Sequence, residues 1–269
     1  MKYKKNKNVL YIILILVSFI IYIVYKLYYN NIDTFKNNVE QKTAFIIEPR
    51  KHKALEYVLK NFLENLDNTW NFIIFHGNLN KEYIENIIKN KLNKYKERIT
   101  LISLNVDNIN DGVEYSKILT NKKFYEYIPN ETFLIFQTDT LINPKYKNKI
   151  NEFLIYDYVG APWGHLKDVG NGGLSLRKKS KMLEIIEKCP YVNNNNDINN
   201  VEDVYFSRNK CKNIDLYKPD FNKAKEFASE TVWNPTSFGI HKVWQYFDIN
   251  IIKKEFPEVE ILSKLQASE

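Results

Sequence analysis

Phe133-Leu134-Ile135-Phe136-Gln137-Thr138-Asp139-Thr140 is an apolar run that breaks abruptly into polar residues and delivers a carboxylate. Four bulky apolar residues in succession suit a strand buried on both faces, as in a parallel sheet covered by helices. In open α/β sheets ligands gather outside the carboxyl ends of the strands, so Asp139 stands where metal or phosphate chemistry is usually done. An Asp at that point also simply starts a turn, and the segment alone leaves both readings open.

The flanking sequence predicts the rest of such a sheet. Residues 43–47, 71–75 and 99–104 are β-rich runs, and amphipathic patterns over 53–65 and 81–95 predict the helices between them. Strands alternating with helices imply an α/β fold, a mostly parallel sheet flanked by helices. A polar loop over 105–112 and short helical pieces around Tyr115 and Phe124 lead into the strand at 132–136. Beyond Asp139 the pattern predicts strands at 156–159 and 174–176, a helix over 180–189 with Ser180 as N-cap, and a helix over 202–209. The Asn-rich stretch 193–200 has no apolar anchor and is predicted to be mobile, and 249–265 reads as a broken amphipathic tail.

The chain has 269 residues and a formal charge of +7. Lys2, Lys4, Lys5, Lys7 and Lys26 supply five of those charges with no acid among the first 26 residues, so the remainder is nearly neutral. That distribution argues against a nucleic-acid partner, which needs a clustered basic face. The charged start flanks an uncharged apolar segment, Val9 to Tyr25, that is long enough at ~1.5 Å per residue to cross most of a ~30 Å hydrocarbon core. Bulky Tyr and Lys follow it where a cleaved signal would have small residues, so an uncleaved signal anchor is expected over 9–29. The organisation expected is a cytosolic tail (1–8), the anchor, a stem (30–42) and one domain (43–269). That organisation predicts a single-pass type II membrane protein with its domain lumenal, of endoplasmic reticulum or Golgi type, or extracytoplasmic. Cys189 and Cys211 are the only cysteines and are expected to be separate thiols. Asn130-Glu131-Thr132 is the sole glycosylation sequon.

Three more polar marks follow Asp139 in order: Gly170-Asn171-Gly172-Gly173-Leu174-Ser175-Leu176-Arg177, Glu202-Asp203-Val204-Tyr205-Phe206, and Phe238-Gly239-Ile240-His241. This order resembles nucleotide-sugar glycosyltransferases of the GT-A fold, with an Asp-x-Asp metal motif, a Gly-Gly turn, an acid pair opening a helix and a late His. More closely, the chain from Thr43 to about Gln245 is similar to the glycosyltransferase-like family DUF5672. That likeness rests on Ile47-Glu48-Pro49-Arg50-Lys51-His52, Phe75-His76-Gly77, Leu134 to Asp139, Tyr156-Asp157-Tyr158-Val159-Gly160-Ala161-Pro162-Trp163, the Gly-Asn-Gly-Gly segment and Phe238-Gly239-Ile240-His241-Lys242.

The resemblance implies transfer of a sugar from a nucleotide-sugar donor to a hydroxyl acceptor on a glycan, glycoprotein or lipid, with inversion and with Mn²⁺ or Mg²⁺ as cofactor. Asp139 and His241 match the metal positions. Gln137 replaces the first acid of the motif and is assigned to the ribose or base. That departure favours the alternative, a catalytically silent GT-A-like module that binds glycans or partners. Asp203 matches the catalytic base with Glu202 as its orienting neighbour, although an acid pair suits a helix start on dipole grounds alone. Asn171, Gly172 and Gly173 resemble the wall on which donor and acceptor sugars rest. Trp163 offers either a stacking face for the acceptor or simple packing. Glu48, Arg50 and His76 follow the first two strands and are candidates for the nucleotide, Arg50 for its diphosphate. Tyr115 and Ser116 are expected to extend that pocket.

Overall fold

The computed structural model describes residues 15–26, 40–192, 201–208 and 213–268. The chain divides into two units, 1–40 and 41–269. In the first, residues 15–26 form helix α1, whose side chains are exposed. The rest of the expected anchor over 9–29, with the tail at 1–8 and nearly all of the stem, lies outside the described residues. Among the described residues no helix is long and apolar enough to cross a membrane.

The second unit opens with β1 (Lys42–Ile47), α2 (Leu55–Asn65), β2 (Trp70–His76), α3 (Lys81–Asn90), β3 (Ile99–Ser103), α4 (Gly112–Leu119) and β4 (Thr132–Phe136). It continues through β5 (Thr140–Ile142), α5 (Ile150–Phe153), β6 (Tyr158–Gly160), β7 (Pro162–Trp163), β8 (Asp168–Val169), β9 (Leu174–Lys178) and α6 (Lys179–Lys188). The last elements are α7 (Glu202–Ser207), α8 (Phe221–Phe227), β10 (Ala228–Ser229), β11 (Gly239–His241), α9 (Ile249–Ile252) and α10 (Val259–Ala267).

Six strands form the main sheet in the order β3-β2-β1-β4-β9-β6. The first four are parallel, and β9 runs antiparallel to both β4 and β6. β1 and β4 are buried along their whole length, which is why both read as unbroken apolar runs. One core layer lies under α2 and α3, where Phe62 stacks on Phe136 at 4.1 Å between centroids. The other gathers Phe45, Phe75, Phe124 and Phe133 with Met182 and Ile185 of α6.

Two features of this topology create a site. β1 has β2 on one side and β4 on the other, so successive connections diverge there and a crevice opens at the carboxyl ends of β1 and β4. Because β9 is antiparallel and pairs Leu174 with Phe136, the residues just before β9 come level with those just after β4. Gly172-Gly173 is thereby carried to Gln137 and Asp139. A small sheet, β10-β11-β5, adds the last piece, pairing His241 with Thr140.

Some boundaries differ from expectation. The helix expected over 81–95 ends at Asn90 and is followed by a 3₁₀ segment, Asn93–Arg98. Ser180 is not an N-cap: α6 begins one residue earlier, and Ser180 donates its N–H and hydroxyl to Glu131, which caps the helix from across the chain. Cys189 is disulfide-bonded, which corrects the expectation of separate thiols; Cys211, the only other cysteine, lies outside the described residues, as does the loop 193–200. In the sequon, Thr132 is buried in β4 with its hydroxyl accepting from Lys178, and the Asn130 side chain accepts from Thr43.

Candidate functional site

The switch-point crevice holds about 410 Å³, and its lining includes Glu48, Arg50, Asp111, Tyr115, Gln137 and Asp139. Its floor is rigid. Asn80 donates to the carbonyls of Glu48 and Arg50, and Gln266 of α10 donates to the Thr138 carbonyl. Gln266 has no motif around it, so nothing in the sequence marked it as a crevice residue.

The donor candidates separate here. Tyr115 and Gln137 line the crevice, and the Tyr115 hydroxyl is buried there beside Gln137, without a well-aligned hydrogen bond among the described residues. Burial, reinforced by Glu202, pushes its pKa up. Arg50 also lines the crevice, with its guanidinium bidentate on Glu48 at 2.8 and 2.8 Å. His76 is buried with Nδ1 2.8 Å from the Gly77 carbonyl and does not line the crevice. Ser116 belongs to the opposite side of the site, accepting from the Glu202 N–H.

Asp139 and His241 meet at the inner end. Asp139 Oδ1 lies 3.3 Å from His241 Nε2, and His241 Nδ1 lies 3.4 Å from Glu230 Oε1. None of these contacts is aligned as a hydrogen bond: Asp139 Oδ1, both imidazole nitrogens and Glu230 Oε2 are all buried without a hydrogen-bond partner among the described residues. Burial pulls the imidazole down, but Asp139 and Glu230 outweigh it and raise its pKa to about 9. Burial likewise pushes Asp139 up, and His241 more than reverses that, leaving the carboxyl below its ordinary range. Among the described residues no group of three or more His, Cys, Asp or Glu converges on one point. A two-residue site nevertheless suits Mg²⁺ or Mn²⁺, which commonly take one or two protein ligands and complete their shell with substrate phosphates and water. Neighbouring ligands on such an ion, at bonds of about 2.1 Å, lie about 3 Å apart, close to the Asp139–His241 separation.

On the other side, Glu202 and Asp203 open α7 and take different roles. Glu202 is buried in a bidentate pair with Arg177, at 2.6 and 3.1 Å, and Arg177 is fully buried over the rings of Tyr158 and Phe206. Arg177 also reaches Ser175 Oγ, which donates to the Gly172 carbonyl. Asp203 is partly buried, its carboxylate accepting from the N–H groups of Gly172 (3.1 Å) and Val204 (2.7 Å). Burial, then the neighbouring Glu202 charge, raises its pKa to about 6 against the pull of those donors.

Gly172 and Gly173 join the two sides. A Cβ on Gly173 would stand 2.3 Å from the His241 ring; one on Gly172 would stand 2.5 Å from Glu202 Oε1 and 2.8 Å from the Asp203 Cβ. Protein side chains occupy the space on either side of the pair, so neither position has room for a Cβ. Asn171 spends its amide oxygen on the Gly173 N–H. Trp163 is 8% exposed and packs beside Gly170, so little of its ring is presented to an acceptor.

A family model described as a protein of unknown function, DUF5672, matches residues 98–241, more than half of the chain. No curated protein matches it in sequence. Among solved structures, the apo-form glycosyltransferase GlyE of Streptococcus pneumoniae TIGR4 shares the fold at a TM-score of 0.50 and 9% identity, over 83% of this chain and 64% of that one. The mannosyltransferase PcManGT from Pyrobaculum calidifontis, in complex with GDP-Man and Mn²⁺, scores 0.44 at 11% identity, over 63% and 51% of the two chains. HddC from Yersinia pseudotuberculosis scores 0.37 at 14% identity, over 53% and 79%. The last two likenesses are too distant to carry weight.

Proposed function

The chain belongs to the DUF5672 family, and we propose that it is a nucleotide-sugar glycosyltransferase that inverts the anomeric carbon, with Asp203 as base and Asp139 and His241 as ligands of a divalent cation. One observation supports this most: Gly172-Gly173 sets a carboxylate of raised pKa and an unsatisfied Asp–His pair on either side of two consecutive residues, beside a crevice of nucleotide size.

In this reading the nucleotide lies at the switch point, against Tyr115 and Gln137. The acceptor oxygen attacks the donor's anomeric carbon from the face opposite the diphosphate. The new glycosidic bond forms as the bond to the diphosphate oxygen breaks, and the electron pair leaves with the nucleoside diphosphate. Asp203 takes the acceptor proton; its two oxygens are fixed by backbone N–H groups, so the carboxylate is held in orientation before substrate arrives. Bound at Asp139 and His241, a divalent cation would neutralise charge on the leaving group. Lys242, whose N–H donates to the Asp139 carbonyl, is the cation beside that pair. The apolar segment over 9–29 is proposed to anchor the chain, with transfer on the lumenal side.

A catalytically silent module is the second reading, and Gln137 in the place of an acid favours it. Incubating the full chain with a panel of nucleotide sugars, with and without Mn²⁺, separates the two by melting temperature and released nucleoside diphosphate. Catalysis predicts one donor class that both raises the melting temperature and is turned over, with turnover lost in chelator. Binding without turnover on any acceptor would leave the silent module; turnover unchanged by chelator would sink the metal role and pass the charge to Lys242.

A further inference from the structure

We propose that Glu230 is the positioning residue that makes His241 a metal ligand, an inference that rests on the metal reading above. Glu230 is 3% exposed and follows β10 directly. β10 pairs with β11 in parallel, Ser229 opposite Ile240, so the next step brings Glu230 level with His241. β11 in turn sets His241 opposite Thr140, the residue after Asp139. The small sheet therefore sets Glu230 beside His241, with Asp139 one residue before the His241–Thr140 pair, at contacts of 3.4 and 3.3 Å.

An imidazole has two nitrogens, and a carboxylate facing one decides what the other can do. Glu230 opposite Nδ1 keeps a proton on that nitrogen and fixes the ring plane, so that Nε2, which faces Asp139, is the nitrogen that would release its proton to a divalent cation. Burying a carboxylate is costly without compensation, and among the described residues Glu230 has little that is aligned: Oε2 is without a hydrogen-bond partner, and Oε1 has His241 at 3.4 Å and Lys242 at 3.5 Å. A residue kept only to tie β10 to β11 would not need a charge there. As the partner of a ring that carries a cation on its far side, the charge has a use.

The test measures Mn²⁺ binding by electron paramagnetic resonance on the full chain, with UDP or GDP present, whichever raises the wild-type melting temperature. Melting curves are recorded for D139A, E230Q and E230A. Outer partners of metal-bound histidines typically contribute about 10- to 100-fold in metal affinity, so E230Q is expected to weaken Mn²⁺ by that factor and E230A by at least as much, while D139A abolishes binding. E230Q preserves shape and carries the test if E230A fails to fold. Mn²⁺ affinity unchanged in E230Q, with D139A silent, would overturn the role of Glu230 and leave the metal reading intact. A wild-type chain that binds no Mn²⁺ would overturn the metal reading first, and the positioning role with it.

Discussion

The two sides of the site differ in how completely their polar atoms are satisfied. On the base side, Glu202 is bidentate on Arg177, Arg177 is held by Ser175 as well, and both oxygens of Asp203 accept from backbone. On the side of His241, four buried polar atoms of Asp139, Glu230 and the imidazole have no aligned partner among the described residues. Leaving buried groups unpaired costs free energy, so the second arrangement is sensible only where something else completes it. The Asp203 side is satisfied within the protein, and in the proposed reading a divalent cation would complete the other.

The sharpest break of that comparison is Asp203→Asn, which keeps the shape and removes proton affinity. A positioned base contributes about 10²- to 10⁴-fold, so turnover should fall on that scale with donor affinity nearly unchanged, measured by steady-state kinetics beside donor titration. Equal loss of binding and turnover would move the base elsewhere. Glu202→Gln would strip Arg177 of its counter-charge and so would disturb the fold as well as the chemistry.

Arg177→Met tests whether the base side is a preformed unit. An unpaired Glu202 in a buried site should cost about 3–5 kcal/mol, and Arg177→Met combined with Glu202→Met should recover much of that loss in thermal melts. Full additivity of the two single changes would show that the pair does not act as one.

The glycines divide the two sides more finely. Gly173→Ala should displace the His241 ring and raise the Mn²⁺ needed for half-maximal activity on the order of 10-fold, with the turnover at saturating Mn²⁺ less affected. Gly172→Ala should do the reverse, lowering turnover through Asp203. Identical profiles for the two variants would erase the boundary between the sides.

The smallest effect is on pH. With its pKa at about 6, Asp203 is ionised and competent at neutral pH, and kcat should fall about tenfold per unit well below that value. The folded pKa stands above the ordinary 3.8, so protonation favours the folded state. The stabilisation is complete below pH 4 and is lost as pH rises through 6. Asp203→Asn should flatten that segment of the melting-temperature profile.

Much of the fold was legible because its signals are local. The buried run Phe133–Phe136 and the alternating patterns before it predicted the parallel half of the sheet, and the carboxylate after the run marked the crevice. What escaped was pairing between side chains. Glu48 and Arg50 both line the crevice, but their bidentate pairing, two residues apart, carries no signature in the sequence. Glu230 sits in Ala228-Ser229-Glu230-Thr231, where no spacing distinguishes it; only the register of β10 on β11 brings it to His241. Gly172-Gly173 drew notice as a turn, but the reason for it lies in residues from two other elements. Sequence shows which groups exist, and partners decide which remain free.

The seam between β1 and β4 also has a kinetic consequence. Thr43 pairs with Phe133 and Phe45 with Ile135, contacts of long sequence separation on which the crevice depends. Closing so long a loop is slow relative to local helix formation, so ordered helices should precede a competent crevice during refolding. Nucleotide would then recognise only chains in which that seam has closed, and would stabilise them by mass action. Recovery of nucleotide binding would time the closing of β1 on β4, and should lag the return of helical circular dichroism.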